Sequence, residues 1–122
     1  MVGHIAVPEV TMDMTPATLS RRMVTEILKG ELGFSGLVIT DSMQMGAITD
    51  AMNMGAITRD YPAGEAAVAA LQAGCDVILM PENLPEAFDA VIAALEEGTL
   101  SIDWLDETLR RILEFKELHG IL

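Results

Sequence analysis

The chain has 122 residues, of which 7 are Lys or Arg and 19 are Asp or Glu, so its formal net charge is −12 at pH 7. This charge argues against nucleic acid and anionic membranes as partners, because both would repel the chain. At 51% hydrophobic residues the chain is too apolar for an acidic disordered tail, and no apolar run reaches the ~20 residues that span a bilayer. We therefore expect an acidic, globular protein.

The cysteines, the histidines and the first residues of the chain limit the kind of protein further. The single cysteine, Cys75, lies in an apolar run, which predicts a buried, inert thiol rather than a disulfide or a zinc ligand. No two histidines or cysteines have ligand spacing, so we predict neither a metal site nor a cofactor. The first residues lack the pattern of a secretion signal, so we expect a soluble chain, cytoplasmic by default, while a cytoplasmic and an exported parent protein both stay open.

Three short apolar runs rich in β-branched residues predict buried strands, since each is too short for a helix and is closed by a polar residue or proline. They cover Val2–Val7, Leu37–Ile39 and Val77–Met80. Between the first two, Thr15 and Pro16 predict the start of a helix that ends at Gly33. The second connection contains a small-residue helix over Glu65–Leu71, which stops at Gly74.

Two amphipathic helices are predicted after the third strand. The first has an apolar face and ends at Gly98; this face consists of Phe88, Val91, Ile92 and Leu95. The second begins at the N-cap Ser101, with acidic residues in its first turns that suit the helix dipole, and ends at Gly120. Its apolar stripe consists of Leu105, Leu109, Ile112 and Leu113.

The alternation of strands and helices predicts right-handed crossovers and a parallel sheet. Two architectures share this pattern. A small doubly wound sheet would be self-contained, whereas a (β/α)₈ barrel needs ~250 residues, about twice the length of this chain. The hydrophobic periodicity alone favours neither the doubly wound sheet nor the barrel.

A tandem duplication follows the second predicted strand. Residues 39–47 read Ile-Thr-Asp-Ser-Met-Gln-Met-Gly-Ala, and residues 48–56 read Ile-Thr-Asp-Ala-Met-Asn-Met-Gly-Ala. Nine residues are too few for a solenoid repeat, so we interpret the duplication as a loop segment. Only the first copy follows a strand-like run, which places Asp41 where parallel α/β folds build their sites. The alternative is that Asp41 only caps a turn. The methionines at 43, 45, 52 and 54 are interpreted as pocket wall or core.

Several ordered motifs are spread over nearly the whole chain: Met1–Ile5, Pro16–Ser20, Gly33–Met45, Glu65–Val68, Ala73–Asp76 and Arg110–Lys116. Together they resemble glycoside hydrolase family 3, in particular its β-N-acetylhexosaminidase branch, whose members trim cell-wall muropeptides.

This resemblance implies an α/β fold that is part of a (β/α)₈ barrel: about three parallel βα units, the family's strands six to eight, plus a C-terminal helix. Residues 1–122 would then be a single domain, a C-terminal fragment of the catalytic barrel. The resemblance also implies that Asp41 is the nucleophile of a retaining glycosidase acting on N-acetylglucosaminides, with His4 and Met43 contacting the substrate. The duplication leaves Asp50 as an alternative nucleophile.

The chain departs from the family in its acid/base machinery. The aspartate–histidine pair of the family's Lys-His-Phe-Pro-Gly-His-Gly region has no counterpart. His4 belongs to the sixth-strand motif and either lines the pocket or is a satisfied core histidine, and His119 lies at a helix end, where it complements the dipole. We therefore predict that the isolated chain hydrolyses little or nothing.

Two other functions are compatible with the sequence. A half-barrel exposes unpaired strand edges and an apolar sheet face, which predicts a non-catalytic chain that forms a homodimer or complements a missing barrel half. A doubly wound nucleotide- or phosphate-binding domain ranks lower, because the chain is acidic and has neither a Gly-x-Gly-x-x-Gly motif nor a P-loop.

Overall fold

The computed structural model describes residues 1–44 and 61–122. Over these ranges the chain is an α/β structure of helices and a short parallel sheet, as predicted. In chain order the elements are α1 (Pro8–Thr11), a 3₁₀ turn (Ala17–Leu19), α2 (Arg22–Glu31, of π type), β1 (Ile39–Ser42), α3 (Ala63–Ala73), β2 (Val77–Leu79), α4 (Leu84–Glu96) and α5 (Ile102–Leu118).

Strands β1 and β2 pair in parallel, which confirms the pairing predicted for the second and third apolar runs. Ile39 lies opposite Val77 and Ser42 lies opposite Leu79. Between these two pairs the chain advances by three residues in β1 and by only two in β2. This difference is a β-bulge, and it lies within β1. The Leu79 amide donates to the side-chain oxygen of Thr40 (2.9 Å), so a hydroxyl takes part in the pairing at the irregular position.

The strand predicted over Val2–Val7 is wrong as a continuous element. Val2 alone pairs with β1: its amide donates to the Ile39 carbonyl (2.9 Å), and its carbonyl accepts from the Asp41 amide (2.9 Å). The neighbouring carbonyls bond instead to residues 17 and 18, which leaves no ladder to extend. The described residues therefore contain two strands and one isolated parallel bridge, and three complete βα units are not confirmed.

The helix start predicted at Thr15 and Pro16 is also wrong. Pro16 is extended (φ −57°, ψ 145°) and forms an antiparallel bridge with Ala6. After the 3₁₀ turn the backbone is extended again at Ser20 (φ −98°, ψ 112°), whose carbonyl accepts the amides of residues 23 and 24. The predicted end is correct, because Gly33 lies two residues after Glu31, the last residue of α2, with a φ of +68° that suits glycine.

Helix α3 forms as predicted from small residues, and its alanines are the centre of the core. Ala66, Ala67, Ala70 and Ala73 are all buried. Without larger side chains, α3 approaches its neighbours closely: a Cβ atom at Gly64 would lie 2.7 Å from the Cβ of Ala90 on α4. The helix ends at Gly74 in the left-handed region (φ 110°), as predicted.

The apolar faces predicted for α4 and α5 are partly exposed, since two of the four residues of each face are open to solvent. On α4, Phe88 is 62% and Ile92 is 40% exposed, while Ala87 and Ala94 are the buried residues. On α5, Leu113 is 51% exposed and Thr108 is buried. The N-cap of α5 is correct, because Ser101 accepts from the Trp104 amide (3.0 Å).

A buried carboxylate joins three elements of the fold. Asp76, directly before β2, accepts from Arg111 of α5 (2.7 Å) and lies 3.4 Å from the ammonium of Lys29 of α2. Its second oxygen accepts from the Val38 amide, directly before β1 (2.8 Å). Asp76 therefore ties the sheet to both α2 and α5.

Candidate active site

Asp41 lies at the carboxyl end of β1, where parallel α/β folds place functional groups. Its side chain is exposed, and one carboxylate oxygen accepts from the amide of Ser42 (2.8 Å). Before Asp41 every second side chain is buried, as at Val38 and Thr40. After the bulge this alternation is shifted by one residue, so that Met43 is the next buried side chain. Bulges re-aim side chains in this way, and here the carboxylate is left open to solvent.

His4 is buried (7% exposed) and has a protein partner on each ring nitrogen. Its Nε2 lies 2.8 Å from the carbonyl oxygen of Ser42, and its Nδ1 lies 2.9 Å from the hydroxyl of Thr18. A carbonyl can only accept, so Nε2 carries a proton and donates it to Ser42. The structure thus places His4 beside the residue that follows Asp41, and its predicted contact with a substrate stays a prediction.

Sequence reasoning missed Thr18 and Ser42. The Thr18 hydroxyl lies 2.7 Å from the Gly3 carbonyl and 3.2 Å from that of Val2, so it ties the 3₁₀ turn to the first residues of the chain. Thr18 is fully buried. Its only signal in the sequence was its place in the Pro16–Ser20 motif, which does not reveal a partner 14 residues earlier.

Met43 lies in the core rather than on an open wall. It is 4% exposed and packs in a cluster with Leu19, Ala66 and Ala70. Its amide donates to the Leu79 carbonyl (2.9 Å), which fixes the backbone directly after β1 to the end of β2. The interpretation of Met43 as core is confirmed, and a substrate contact through it stays a prediction.

The end of β2 lies at the same edge of the sheet as Asp41. Met80 adopts a left-handed conformation (φ 48°) and is exposed, and Glu82 is exposed in the turn that follows. Asn83 then caps α4 by accepting from the Glu86 amide (3.2 Å). This edge therefore carries two exposed carboxylates, those of Asp41 and Glu82.

The other sequence candidates lie elsewhere. Asp50 and the second copy of the duplication, with the methionines at 45, 52 and 54, fall outside the described residues. His119 is at the end of α5, where its Nδ1 donates to the Phe115 carbonyl (2.9 Å) and its ring stacks on Phe115. It belongs to the helix terminus, as expected.

Two features are absent from residues 1–44 and 61–122: a cluster of metal-binding side chains and a membrane-spanning helix. No group of three His, Cys, Asp or Glu side chains in these ranges is placed to hold a metal ion. Among the helices that these ranges contain, none combines the length and the apolar character needed to cross a membrane.

The comparisons with known proteins agree on one family. Residues 1–115 match the model of the glycosyl hydrolase family 3 N terminal domain. A beta-N-acetylglucosaminidase/beta-glucosidase from Cellulomonas fimi is 30% identical over 130 residues, covering 99% of this chain and 22% of that protein. A beta-hexosaminidase from Bordetella avium (strain 197N) is 37% identical over 106 residues, covering 84% of this chain and 26% of that protein.

A solved structure shows the same likeness in three dimensions. The family 3 beta-N-acetylglucosaminidase from Paenibacillus sp. str. FPU-7 superposes with a TM-score of 0.77 at 38% identity, over 90% of this chain and 20% of that one. The chain thus spans about a quarter of the length of the curated relatives it matches.

Proposed function

Because this chain belongs to glycosyl hydrolase family 3, we propose that it forms the nucleophile-bearing part of a retaining β-N-acetylhexosaminidase barrel. The single observation that carries the proposal is the carboxylate of Asp41, which is exposed at the carboxyl end of a bulged parallel strand and held by the Ser42 amide. The beta-hexosaminidase and beta-N-acetylglucosaminidase relatives indicate the substrate class, a terminal N-acetylglucosaminide.

The chemistry requires an ionised carboxylate below the anomeric carbon. An Asp41 oxygen forms a bond to that carbon while the glycosidic C–O bond breaks, and the departing oxygen takes a proton from a general acid. Water then attacks the glycosyl ester and gives a proton to the conjugate base of that acid, so the product keeps the original anomeric configuration and the carboxylate is freed. The hydrogen bond from Ser42 suits this role, since it orients one oxygen and leaves the other free.

The isolated chain is proposed to turn over little substrate. In the family that it resembles, the acid/base pair lies in a motif without counterpart here, and protonation of the leaving group is worth about 10²- to 10⁴-fold in rate. The glycone-binding wall of a complete barrel would also come from beyond the quarter of the relatives that this chain matches. The chain therefore needs complementation before its carboxylate can act.

The test has two parts. The 122-residue chain is assayed with an aryl N-acetylglucosaminide, and we expect no turnover above background. The chain is then substituted for the matching fifth of the Paenibacillus enzyme, and we expect this chimaera to be active and to retain anomeric configuration, as followed by proton NMR. Asp41→Asn should lower kcat of the chimaera by at least about 10³-fold.

The duplicated copy offers a matched control. Asp50→Asn in the same chimaera should leave kcat within about twofold, and Asp41→Gly should recover turnover with azide, producing the glycosyl azide of inverted configuration because azide attacks from the vacated side. Activity that survives Asp41→Asn but is lost in Asp50→Asn would transfer the nucleophile to Asp50. Turnover by the isolated chain that depends on Asp41 would refute the proposed inactivity.

A second candidate function is a non-catalytic half-barrel that pairs with another copy. The observation that favours it is the exposure of large apolar side chains on α4 and α5, such as Phe88 and Leu113. Such faces are unusual on a monomer in water. Its test is the oligomeric state of the 122-residue chain in solution.

A further inference from the structure

The backbone that follows Asp41 is held from three directions. The Ser42 amide donates to the Asp41 carboxylate (2.8 Å), and the Ser42 carbonyl accepts from Nε2 of His4 (2.8 Å). The Met43 amide, in the same peptide unit as that carbonyl, donates to the Leu79 carbonyl of β2 (2.9 Å). Ser42 is therefore the link between the carboxylate and two neighbouring segments of chain.

Of these supports, His4 is a side chain whose own position is fixed. Its ring is buried, and its Nδ1 contacts Thr18, a fully buried residue whose hydroxyl also lies 2.7 Å from the Gly3 carbonyl. Both residues lie outside β1, so the ring is held by contacts other than its hydrogen bond to Ser42. A rigid donor of this kind keeps the Ser42 carbonyl, and hence the orientation of the preceding amide, in one arrangement.

The Ser42 carbonyl lies at the irregular end of β1. The ladder to β2 is irregular between Ile39 and Ser42, and the Leu79 amide donates to the Thr40 hydroxyl (2.9 Å). Because the Met43 amide donates to the Leu79 carbonyl, the Ser42 carbonyl of the same trans peptide points away from β2. His4 bonds this carbonyl on that other side, next to the exposed carboxylate.

We propose that His4 is a positioning residue for Asp41: by holding the Ser42 carbonyl, it fixes the amide that orients the nucleophile's carboxylate. This inference rests on the proposed role of Asp41 as nucleophile. It assigns His4 no proton transfer and no contact with the sugar, because both ring nitrogens are engaged with protein groups.

The chain offers a matched pair of variants. His4→Gln places an amide nitrogen near the position of Nε2 and can still donate to the Ser42 carbonyl. His4→Asn has the same functional group one methylene shorter, so it can reach Thr18 but not Ser42. A role of His4 in packing alone predicts no specific change at the Ser42 amide in either variant, whereas positioning through Ser42 predicts that only His4→Asn changes it.

The first measurement uses NMR of the full 122-residue chain and needs no activity. In the parent chain and in His4→Gln, we expect Asp41→Asn to shift the Ser42 amide proton, since that proton loses its carboxylate acceptor. In His4→Asn, we expect the proton to be already displaced and its response to Asp41→Asn to fall by at least half. An unchanged response in His4→Asn would overturn the proposal, as would an equal loss in both variants.

The second measurement uses the chimaera with the Paenibacillus enzyme. Misplacement of a reacting group costs mainly the chemical step, so His4→Asn should lower kcat by about 10- to 100-fold with KM within about twofold, and His4→Gln should recover most of kcat. Full activity of His4→Asn alongside loss of activity in Asp41→Asn would overturn this inference alone. Full activity of Asp41→Asn would instead overturn the proposed function.

Discussion

At the scale of single residues, the carboxylate of Asp76 is the most consequential group outside the site. It is buried between Arg111 and Lys29 and also accepts from the Val38 amide. We expect Asp76→Asn to lower the free energy of unfolding by about 3 kcal/mol, because removing one member of a buried ion pair leaves its partners uncompensated. The two cations reach solvent in part, which keeps the loss near the lower end of the range for buried pairs.

Urea unfolding followed by circular dichroism measures this loss. Asp106→Asn is the matched control, since it makes the same chemical change at an exposed position of α5 and should stay within about 0.5 kcal/mol of the parent. A loss for Asp76→Asn no larger than that of the control would show that the ion pairs contribute nothing to stability.

Cys75 carries a second prediction at this scale. Burial raises the pKa of its thiol from 9.0 to about 11, and Asp76 adds to the effect while Lys29 opposes it. Since the thiolate is the reactive form, we expect no reaction with a disulfide reagent at about pH 8 in the folded chain, and complete labelling once denaturant exposes the thiol. Rapid labelling of the folded chain would contradict the burial.

The same pKa shift gives a dependence of stability on pH. The folded state holds the thiol proton more tightly than the unfolded state, so this contribution is complete below pH 9.0 and is lost as the pH rises towards about 11. Cys75→Ser has no such group and provides the comparison. Urea midpoints of the two chains between about pH 8 and 11 should therefore converge; parallel curves would contradict the shift.

At the scale of elements, the contact between α3 and α4 depends on Gly64. A methyl group there would lie 2.7 Å from the Cβ of Ala90 and 3.4 Å from the Glu86 carbonyl oxygen, so the helices would have to move apart. We expect Gly64→Ala to destabilise the chain by about 1 to 2 kcal/mol, because overpacking outweighs the better helix propensity of alanine. Thermal or urea unfolding measures the change.

A compensating variant isolates the steric cause. Ala90→Gly removes the methyl group that Gly64→Ala would meet, so the double variant should be more stable than the sum of the two single changes by about 1 kcal/mol. Strict additivity would mean that Gly64→Ala acts through the backbone and not through its contact with α4.

The elements that could be predicted are those specified by nearby residues. Ser101 caps α5 and Gly74 ends α3, and each signal lies within a few positions of the backbone group that it affects. The predicted strand Val2–Val7 failed because its carbonyls bond to Thr18 and Ala17, far along the chain. Hydrophobic pattern reports burial, and it contains no information on which backbone group will be the partner.

The site shows the same division. The place of Asp41 at a strand end followed from the apolar run before it, whereas the bulge beside it depends on the register with β2, about 38 residues later. His4 was a candidate by its motif, but its bond to Ser42 joins residues 38 positions apart. The family resemblance supplied the role of Asp41, and tertiary contacts supply its support.

At the scale of the whole molecule, the net charge and the exposed apolar surface have opposite effects on self-association. The net charge of −12 disfavours association of two copies, while α4 carries a stripe at four-residue spacing in which Leu84 and Phe88 are each more than 60% exposed. The stripe borders an apolar cavity of about 180 Å³ lined by residues such as Ile78 and Val91. Apolar surface gathered in this way favours a protein partner.

At micromolar concentration we therefore expect light scattering to give a solution mass above the 13.1 kDa of the monomer, with a dimer as the main species. Added salt should raise the dimer fraction, because it screens the repulsion between acidic copies while leaving apolar contact intact. Leu84→Lys combined with Phe88→Lys should return the chain to monomer, even though the added positive charge weakens the repulsion between copies.

A control pair of substitutions lies on α5. Leu109→Lys combined with Leu113→Lys changes the net charge by the same amount on the exposed part of α5 and should leave the dimer in place. A stable, non-aggregating monomer in the parent chain would contradict self-association, and dissociation by the α5 pair alone would move the interface to α5.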